Sequence, residues 1–254
     1  MKPDSLFTYL ESLQQGKPWG DLLDAGTGLS SLGWLLTLPT QSITAITACP
    51  RRAEFLRAHF SEKLRPQDRV LSGNWVDEDL LESQTFSVVL ADYLVGAVDR
   101  FAPYFQERLL TRLRRHVSGT LYVIGLEPYG DPDESPDSQL VTRIANLRDA
   151  CLLLAQDRPH REYPRWWMTE ALERNGYQLQ ASRSFPVSYG RQFVTSELDV
   201  CRDALAKLAP ETSRALAAEE SRLRAEALAY LDTKGALHWG FDYVLSARTS
   251  GDIR

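Results

Sequence analysis

The stretch LLDAGTGLSSLGWLL, residues 22–36, decides the fold, because it joins a strand pattern to a helical pattern through a glycine-containing turn. The segment DLLDAG at 21–26 is typical of a short buried strand. The leucines that follow recur at helical spacing until Pro39 ends the pattern. Gly26 and Gly28 stand between the two patterns, where the absence of a Cβ lets a backbone approach a ligand closely. The stretch therefore predicts a strand, a turn that can face a ligand, and a helix.

The same alternation of strand and helix patterns continues to about residue 128. Four further apolar, strand-like segments follow at 42–50, 69–75, 86–92 and 120–128. Between them we predict helices, including one over 51–64 and a single long one over 98–116. Such alternation indicates a parallel sheet covered by helices on both faces.

The second half of the chain predicts further helices and two more strands. A helix runs into a strand over 166–179, and alternating aromatic residues predict a final strand in LHWGFDYVLSAR, 237–248. Almost pure helix formers separate these two strands. We assign residues 1–254 to one domain, with the following parts: an N-terminal helix within 1–19, a core over 20–197, a helical insertion over 198–234 that serves as a lid or an oligomer surface, and a final strand over 235–248.

The bulk composition excludes several classes of function. The chain of 254 residues carries a net charge of −5, which does not favour a nucleic-acid partner. Apolar runs are too short for a membrane span, and the N-terminal residues lack the apolar segment of a secretory signal. The three cysteines, Cys49, Cys151 and Cys201, have no metal-ligand spacing. We therefore expect a cytoplasmic protein without a metal, and the sequence leaves its oligomeric state open.

The residues D-A-G-T-G at 24–28 resemble motif I of the class I S-adenosylmethionine-dependent methyltransferases, usually D/E-x-G-x-G-x-G. Ser30 takes the place of the third glycine. The resemblance covers residues 20–130 and implies S-adenosyl-L-methionine as cofactor and S-adenosyl-L-homocysteine as product. It also implies an α/β fold: a doubly wound, mostly parallel seven-stranded sheet with an antiparallel last strand pair and a helical insertion before the final strand. The implied cofactor-binding residues in this turn are Asp24, Gly26, Thr27, Gly28 and Ser30.

The resemblance also assigns cofactor contacts to the ends of the second and third strands. The family usually has an acid after the second strand for the ribose hydroxyls, whereas this chain offers Thr47 or Cys49. After the third strand, Asn74 can accept a hydrogen bond from the adenine amino group, and Trp75 can cover the ring. Core packing is the alternative for both Cys49 and Trp75. On the same basis we expect Gly26→Val to abolish cofactor binding while the fold stays cooperative, because only the ligand needs the missing Cβ.

The fourth and fifth strands end in the residues that we expect to serve catalysis. Asp92 and Tyr93 follow the fourth strand and resemble the family's motif IV, so Asp92 is also expected to contact the cofactor. Glu127 follows the fifth strand. Because the cofactor methyl is already activated, the protein mainly has to hold an acceptor in line and take up its proton. Helix capping by Asp92, packing by Tyr93 and a surface ion pair of Glu127 are the alternatives.

Loops and the insertion supply the expected substrate-binding residues, Tyr129, Tyr189 and Arg191. An arginine can hold a carboxylate through two parallel hydrogen bonds, so the acceptor can be a small polar molecule that bears a carboxylate. The alternative for Arg191 is a surface pair with a nearby acid.

The leading interpretation is a methyltransferase acting on a nitrogen, oxygen or sulfur atom of a small polar molecule. The alternatives are a protein or peptide methyltransferase and a non-catalytic protein that binds S-adenosylmethionine. A nicotinamide dehydrogenase would need a third glycine earlier than Gly33 and an acid after the second strand.

Overall fold

The computed structural model describes residues 5–250, so residues 1–4 of the expected N-terminal segment and residues 251–254 lie outside the described part. Strands and helices alternate as the sequence predicts. The strands are β1 (Asp21–Asp24), β2 (Ser42–Thr47), β3 (Arg69–Ser72), β4 (Phe86–Asp92), β5 (Val117–Leu126), β6 (Tyr177–Tyr189) and β7 (Leu237–Thr249). The helices are α1 (Ser5–Gln14), α2 (Leu29–Leu35), α3 (Pro50–His59), α4 (Leu94–Phe101), α5 (Gln106–Arg114), α6 (Pro136–Leu154), α7 (Arg165–Arg174), α8 (Arg191–Leu205) and α9 (Pro210–Lys234).

The seven strands form one sheet in the order β3-β2-β1-β4-β5-β7-β6. β1 to β5 are parallel, and β7 lies antiparallel between β5 and β6. This arrangement confirms the predicted doubly wound sheet and its antiparallel last strand pair. The strand order reverses at β1, which lies between β2 and β4, and the crevice at such a reversal is where open α/β sheets bind ligands.

Both faces of the parallel strands are covered by apolar side chains. Successive residues of β1 enter different core clusters: Leu22 packs with Leu90 and Tyr122, whereas Leu23 packs with Val89. This distribution follows from the alternation of side chains along a strand. It explains why the central strands are continuous apolar runs rather than alternating ones.

Three sequence-based element boundaries are wrong. The helix predicted over 98–116 is interrupted between α4 and α5, because Pro103 cannot donate a helical hydrogen bond and Tyr104 adopts a positive φ of 65°. The helical insertion begins at Arg191 rather than at residue 198. β6 continues through Pro186, which an edge strand tolerates because it need not donate on its open side.

The chain divides into two compact units. The first, here called the sheet unit, comprises the described residues up to Leu126, together with Arg161–Phe185 and the residues from Tyr243 onward. The second, the helical unit, comprises Glu127–His160 and Pro186–Asp242. In the helical unit the two insertion helices, α8 and α9, pack with α6 around one apolar cluster. Among residues 5–250, no helix is both long and apolar enough to cross a membrane.

Candidate active site

The turn after β1 is held by hydrogen bonds to both neighbouring strands. The Ala25 N–H donates to the Leu90 carbonyl of β4 at 2.8 Å, and the Thr27 N–H donates to the Ile46 carbonyl of β2 at 2.7 Å. The Trp75 indole N–H donates to the Ala25 carbonyl at 2.7 Å. The turn is therefore a fixed feature of the sheet edge.

Asp24, the last residue of β1, is completely buried. Within residues 5–250, neither of its carboxylate oxygens has a hydrogen-bond partner of ordinary geometry. Burial raises the pKa of Asp24 to about 6, although the nearby Thr27 and Ser31 hydroxyls and the Gly26 N–H lower it in part. A buried carboxylate whose nearby donors lie outside ordinary hydrogen-bond geometry is costly, so a better-placed donor would stabilise its charged form.

The two glycines of the turn have different roles. A Cβ at Gly26 would lie 2.9 Å from Cδ1 and 3.0 Å from Cβ of Leu94, so Gly26 is required by packing inside the protein. The expectation that only the ligand needs the missing Cβ at Gly26 is therefore wrong. A Cβ at Gly28 would meet no atom within 4 Å, and φ is −133°, which any residue adopts. Open space beside Gly28 is what a bound ligand would occupy.

Two other residues of the turn differ in accessibility. Thr27 is buried, and among the described residues its hydroxyl oxygen has no hydrogen-bond partner. Ser30 is exposed. The Gly28 N–H donates to the Ser31 hydroxyl at 3.0 Å. The backbone N–H of the N-cap residue of α2 is therefore satisfied by a side chain of the same helix.

The end of β2 carries a hydroxyl and a thiol where the resemblance implies an acid. Thr47 is half-buried, and its hydroxyl accepts a long hydrogen bond of 3.4 Å from the Cys49 N–H. Cys49 is also half-buried, and it precedes Pro50 as the N-cap residue of α3 without a side-chain cap. Both side chains retain hydrogen-bonding capacity at this edge.

The residues after β3 take separate positions. Asn74 is half-buried; its amide donates to the Phe101 carbonyl at 2.9 Å, and its side-chain oxygen accepts from the Val76 N–H at 3.2 Å. Trp75 is buried in the core of the sheet unit. Trp75 is therefore a core residue, which was the alternative to a cofactor contact. Its indole N–H is already bonded to the turn after β1.

Asp92 and Tyr93 connect β4 to α4 with an unusual backbone. Asp92 is half-buried at the end of the strand and pairs in register with Ile124 of β5. Tyr93 has φ 47° and ψ 18°, the left-handed region that bulky residues rarely adopt. Its N–H donates to the Ile124 carbonyl at 3.0 Å. Strain of this kind, on the order of 1–3 kcal/mol, is concentrated at functional sites.

The loop that contains residues 161–163, which the sequence predicts between two helices, packs on α4. The Arg161 N–H donates to the Gly96 carbonyl at 3.0 Å, and a Cβ at Gly96 would collide with the Glu162 carboxylate. The Tyr243 hydroxyl donates to the Tyr163 carbonyl at 2.9 Å. These residues belong to no recognisable motif. In the sequence, only Gly96 within an otherwise regular helix indicates that another segment approaches α4 closely.

Glu127 and the expected substrate-binding residues belong to the helical unit. The Glu127 N–H donates to the Phe241 carbonyl at 2.8 Å. The hydroxyls of Tyr129 and Tyr189 are hydrogen-bonded to each other. Burial raises the pKa of Tyr129 to about 12 and raises that of Tyr189 further, so both phenols are neutral at pH 7.

Arg191 forms a surface ion pair, which was the alternative to substrate binding. Its guanidinium pairs with Asp232 of α9, and its side chain is 57% exposed. The described residues contain no cluster of histidine, cysteine or carboxylate side chains that could hold a metal ion.

The residues at the sheet edge fit the cofactor that the sequence implies. The carboxylate of Asp24 and the hydroxyl of Thr27 can pair with N–H and O–H donors, and the space at Gly28 admits a ligand close to the backbone. Cationic groups suit the carboxylate in particular.

No protein-family model matches the sequence, and no curated protein matches it significantly. Solved structures do match. A candidate methyltransferase from Bacillus halodurans is 14% identical with a TM-score of 0.60, over 96% of this chain and 99% of that one. The [4+2]-cyclase SpnF is 16% identical with a TM-score of 0.56, over 96% and 80%. The mycolic acid cyclopropane synthase CmaA1, in complex with S-adenosylhomocysteine, is 15% identical with a TM-score of 0.54, over 94% and 82%.

These similarities establish the fold. The chain has the seven-stranded sheet of the S-adenosylmethionine-dependent methyltransferases, with the same strand order and antiparallel β7.

Proposed function

We propose that this protein is an S-adenosylmethionine-dependent methyltransferase that binds its cofactor at the carboxyl ends of β1 to β4. The observation that carries the proposal is Asp24, a fully buried carboxylate whose oxygens have no hydrogen bond of ordinary geometry among the described residues, directly before a turn that leaves open space at Gly28. The switch in strand order at β1 places this turn where α/β sheets bind ligands.

The other cofactor contacts follow from the strand order. Thr47 or Cys49 at the end of β2 would accept hydrogen bonds from the ribose, and Asn74 after β3 would accept from the adenine amino group. Asp92 after β4 would face the methionine part. We exclude Trp75 from direct contact because it is buried and its N–H is already engaged.

When bound, S-adenosylmethionine supplies a methyl group activated on a sulfonium. Asp92 would then accept the proton that a nitrogen or oxygen acceptor loses as the new bond forms. The strained backbone of Tyr93 fixes the direction in which the chain leaves Asp92. Glu127 belongs to the helical unit, and its role as a base stays a prediction.

A small polar molecule is the proposed acceptor. The neutral, mutually bonded phenols of Tyr129 and Tyr189 can donate and accept hydrogen bonds without adding charge. Arg191 is no longer needed for this proposal, since Asp232 already neutralises it.

The non-catalytic alternative is favoured by one observation, the absence of an acid at the end of β2, where Thr47 offers a single hydroxyl. No observation in the described residues favours a peptide methyltransferase over a small-molecule one. Peptides are therefore included among the substrates of the screen below.

The experiment is a turnover screen that detects S-adenosylhomocysteine with pooled amines, carboxylates, phenols, thiols and peptides. We expect turnover with one small-molecule pool and at least about a 100-fold loss in Asp92→Asn, in the range for a general base. The control, Asp79→Asn, removes an exposed carboxylate of the sheet unit outside the proposed site and should leave turnover unchanged. Turnover only with peptides would select the peptide alternative, and binding without turnover in every pool would select the non-catalytic one.

A further inference from the structure

A cavity of about 800 Å³ lies in the sheet unit, away from the site described above. It is formed by the last residues of α5 and α7, the start of β5, and the end of β7. Since β5 is parallel to β1 and β4, its start lies at the sheet edge opposite to Asp24. The lining residues are Thr111, Arg114, Arg115, Val117, Arg174, Asn175, Gly176, Thr249 and Ser250.

The lining is strongly cationic in a chain whose net charge is −5. It contains three arginines and no aspartate or glutamate. Among the described residues, no carboxylate forms an ion pair with Arg114 or Arg115. Within residues 5–250, Arg174 forms long ion pairs only, at 3.7 Å with Glu107 and 3.5 Å with Glu170. The cavity therefore has positive charge that the described chain leaves largely uncompensated.

Arg114 is the arginine of the cavity whose guanidinium is least satisfied by the described residues. Its Nε is buried and, within residues 5–250, has no hydrogen-bond acceptor. Its Nη2 donates only a long hydrogen bond of 3.5 Å to the Ser250 carbonyl. A Cβ at Gly176 would lie 3.2 Å from both Nε and Cζ of Arg114, so the glycine makes room for the guanidinium. A buried N–H of a charged group without an acceptor is costly.

Helix dipoles explain in part why arginines lie at this cavity. Arg114 lies in the last turn of α5 and Arg174 in the last turn of α7, where cations are favourable. That effect does not explain a buried guanidinium N–H without an acceptor, or a cavity that lacks carboxylates.

We propose that this cavity binds a small phosphorylated molecule with at least two negative charges. Guanidinium groups pair with phosphate oxygens through parallel hydrogen bonds, and three of them suit a multiply charged group better than a single carboxylate. The volume lies within the roughly 300–1,000 Å³ of small-molecule sites, so it admits more than a free phosphate ion. A free metabolite and a phospholipid head group share this chemistry.

The test is a calorimetric titration with inorganic pyrophosphate at constant ionic strength. We expect saturable binding to one site and at least about a tenfold weaker affinity in Arg114→Gln, since charge-assisted hydrogen bonds are lost. Arg108→Gln, which changes an arginine of α5 outside the cavity lining, is the matched control and should bind like the wild type.

Flotation with vesicles that contain phosphatidic acid distinguishes the two sources. Binding of soluble pyrophosphate without vesicle binding points to a metabolite, and Arg114-dependent vesicle binding points to a head group. The absence of saturable binding to both probes, or an equal loss in Arg108→Gln, would overturn the proposal. Binding of S-adenosylhomocysteine should be unchanged in Arg114→Gln, so this result is independent of the proposed function.

Discussion

At the scale of single residues, Asp24 combines complete burial with a raised pKa, and both have consequences that can be measured. Burial penalises the ionised carboxylate in the folded protein, whose pKa is about 6 against 3.8 in the unfolded chain. As the pH rises from about 4 to 6, the unfolded chain releases this proton first. The free energy of unfolding therefore falls over this window, by about 3 kcal/mol for this group alone.

We predict that Asp24→Asn stabilises the protein at pH 8 and loses this advantage as the pH is lowered toward 4. Asparagine keeps the shape but removes the buried charge, which the wild type carries only above its pKa. Urea denaturation of both proteins between pH 4.5 and 8 measures the difference. A difference that does not change with pH would show that Asp24 is not the group that titrates.

The second residue-scale prediction concerns Gly28. Gly28→Val should weaken binding of S-adenosylhomocysteine at least about tenfold, or 1.4 kcal/mol, because the added side chain fills the space proposed for the ligand. The melting temperature should stay close to that of the wild type. Gly130→Val is the control, since a Cβ there also meets no atom within 4 Å. Equal affinities in the two variants would contradict the assignment of the pocket.

The sequence was informative about which residues reach the sheet edge, but not about what each one contacts. Asp24 and Gly28 could be selected from their spacing after an apolar strand. The packing role of Gly26 depends on Leu94, which is 68 residues away in the chain and approaches only in the folded sheet. The pairing of Arg191 with Asp232 depends in the same way on the packing of α8 and α9.

At the scale of elements, α3 begins without a side-chain cap. Cys49 occupies the N-cap position with extended backbone, and its side chain makes no capping hydrogen bond. We predict that Cys49→Asp raises the free energy of unfolding by about 1 kcal/mol relative to Cys49→Ala, because a carboxylate can accept from the free N–H groups. Chemical denaturation measures this directly. Equal stabilities of the two variants would show that the cap geometry is not available to aspartate.

The element patterns also explain where sequence reasoning succeeded. The central strands are continuous apolar runs because helices cover both faces, and this signal is strong. The interruption between α4 and α5 was missed because Pro103 stands within an otherwise amphipathic pattern. The length of β6 was missed because its exposed residues and Pro186 are tolerated only at the edge of the sheet.

At the scale of the whole molecule, the reactivity of the three thiols measures the opening of each unit separately. Cys151 and Cys201 are buried in the helical unit with their sulfur atoms 2.6 Å apart, and burial raises the pKa of the Cys201 thiol. Cys49 is half-buried in the sheet unit. The sequence could not pair Cys151 with Cys201, since the packing of α6 on α8 brings them together.

We predict that, in the reduced native protein, a thiol reagent labels Cys49 first, and Cys151 and Cys201 only when the helical unit opens. Spectrophotometric thiol titration with and without denaturant measures both phases, and Cys49→Ser should remove the fast one. Rapid labelling of three thiols in the native protein would contradict the packing of α6 against α8.

The central claim is that the edge of β1 to β4 binds S-adenosylmethionine. Calorimetric titration of the folded wild-type protein with S-adenosylhomocysteine at pH 7.5 tests it most directly. We expect saturable one-to-one binding at micromolar affinity or tighter, which weakens below pH 6 as Asp24 becomes protonated. Absence of binding by a protein whose fold is confirmed by cooperative unfolding would contradict it.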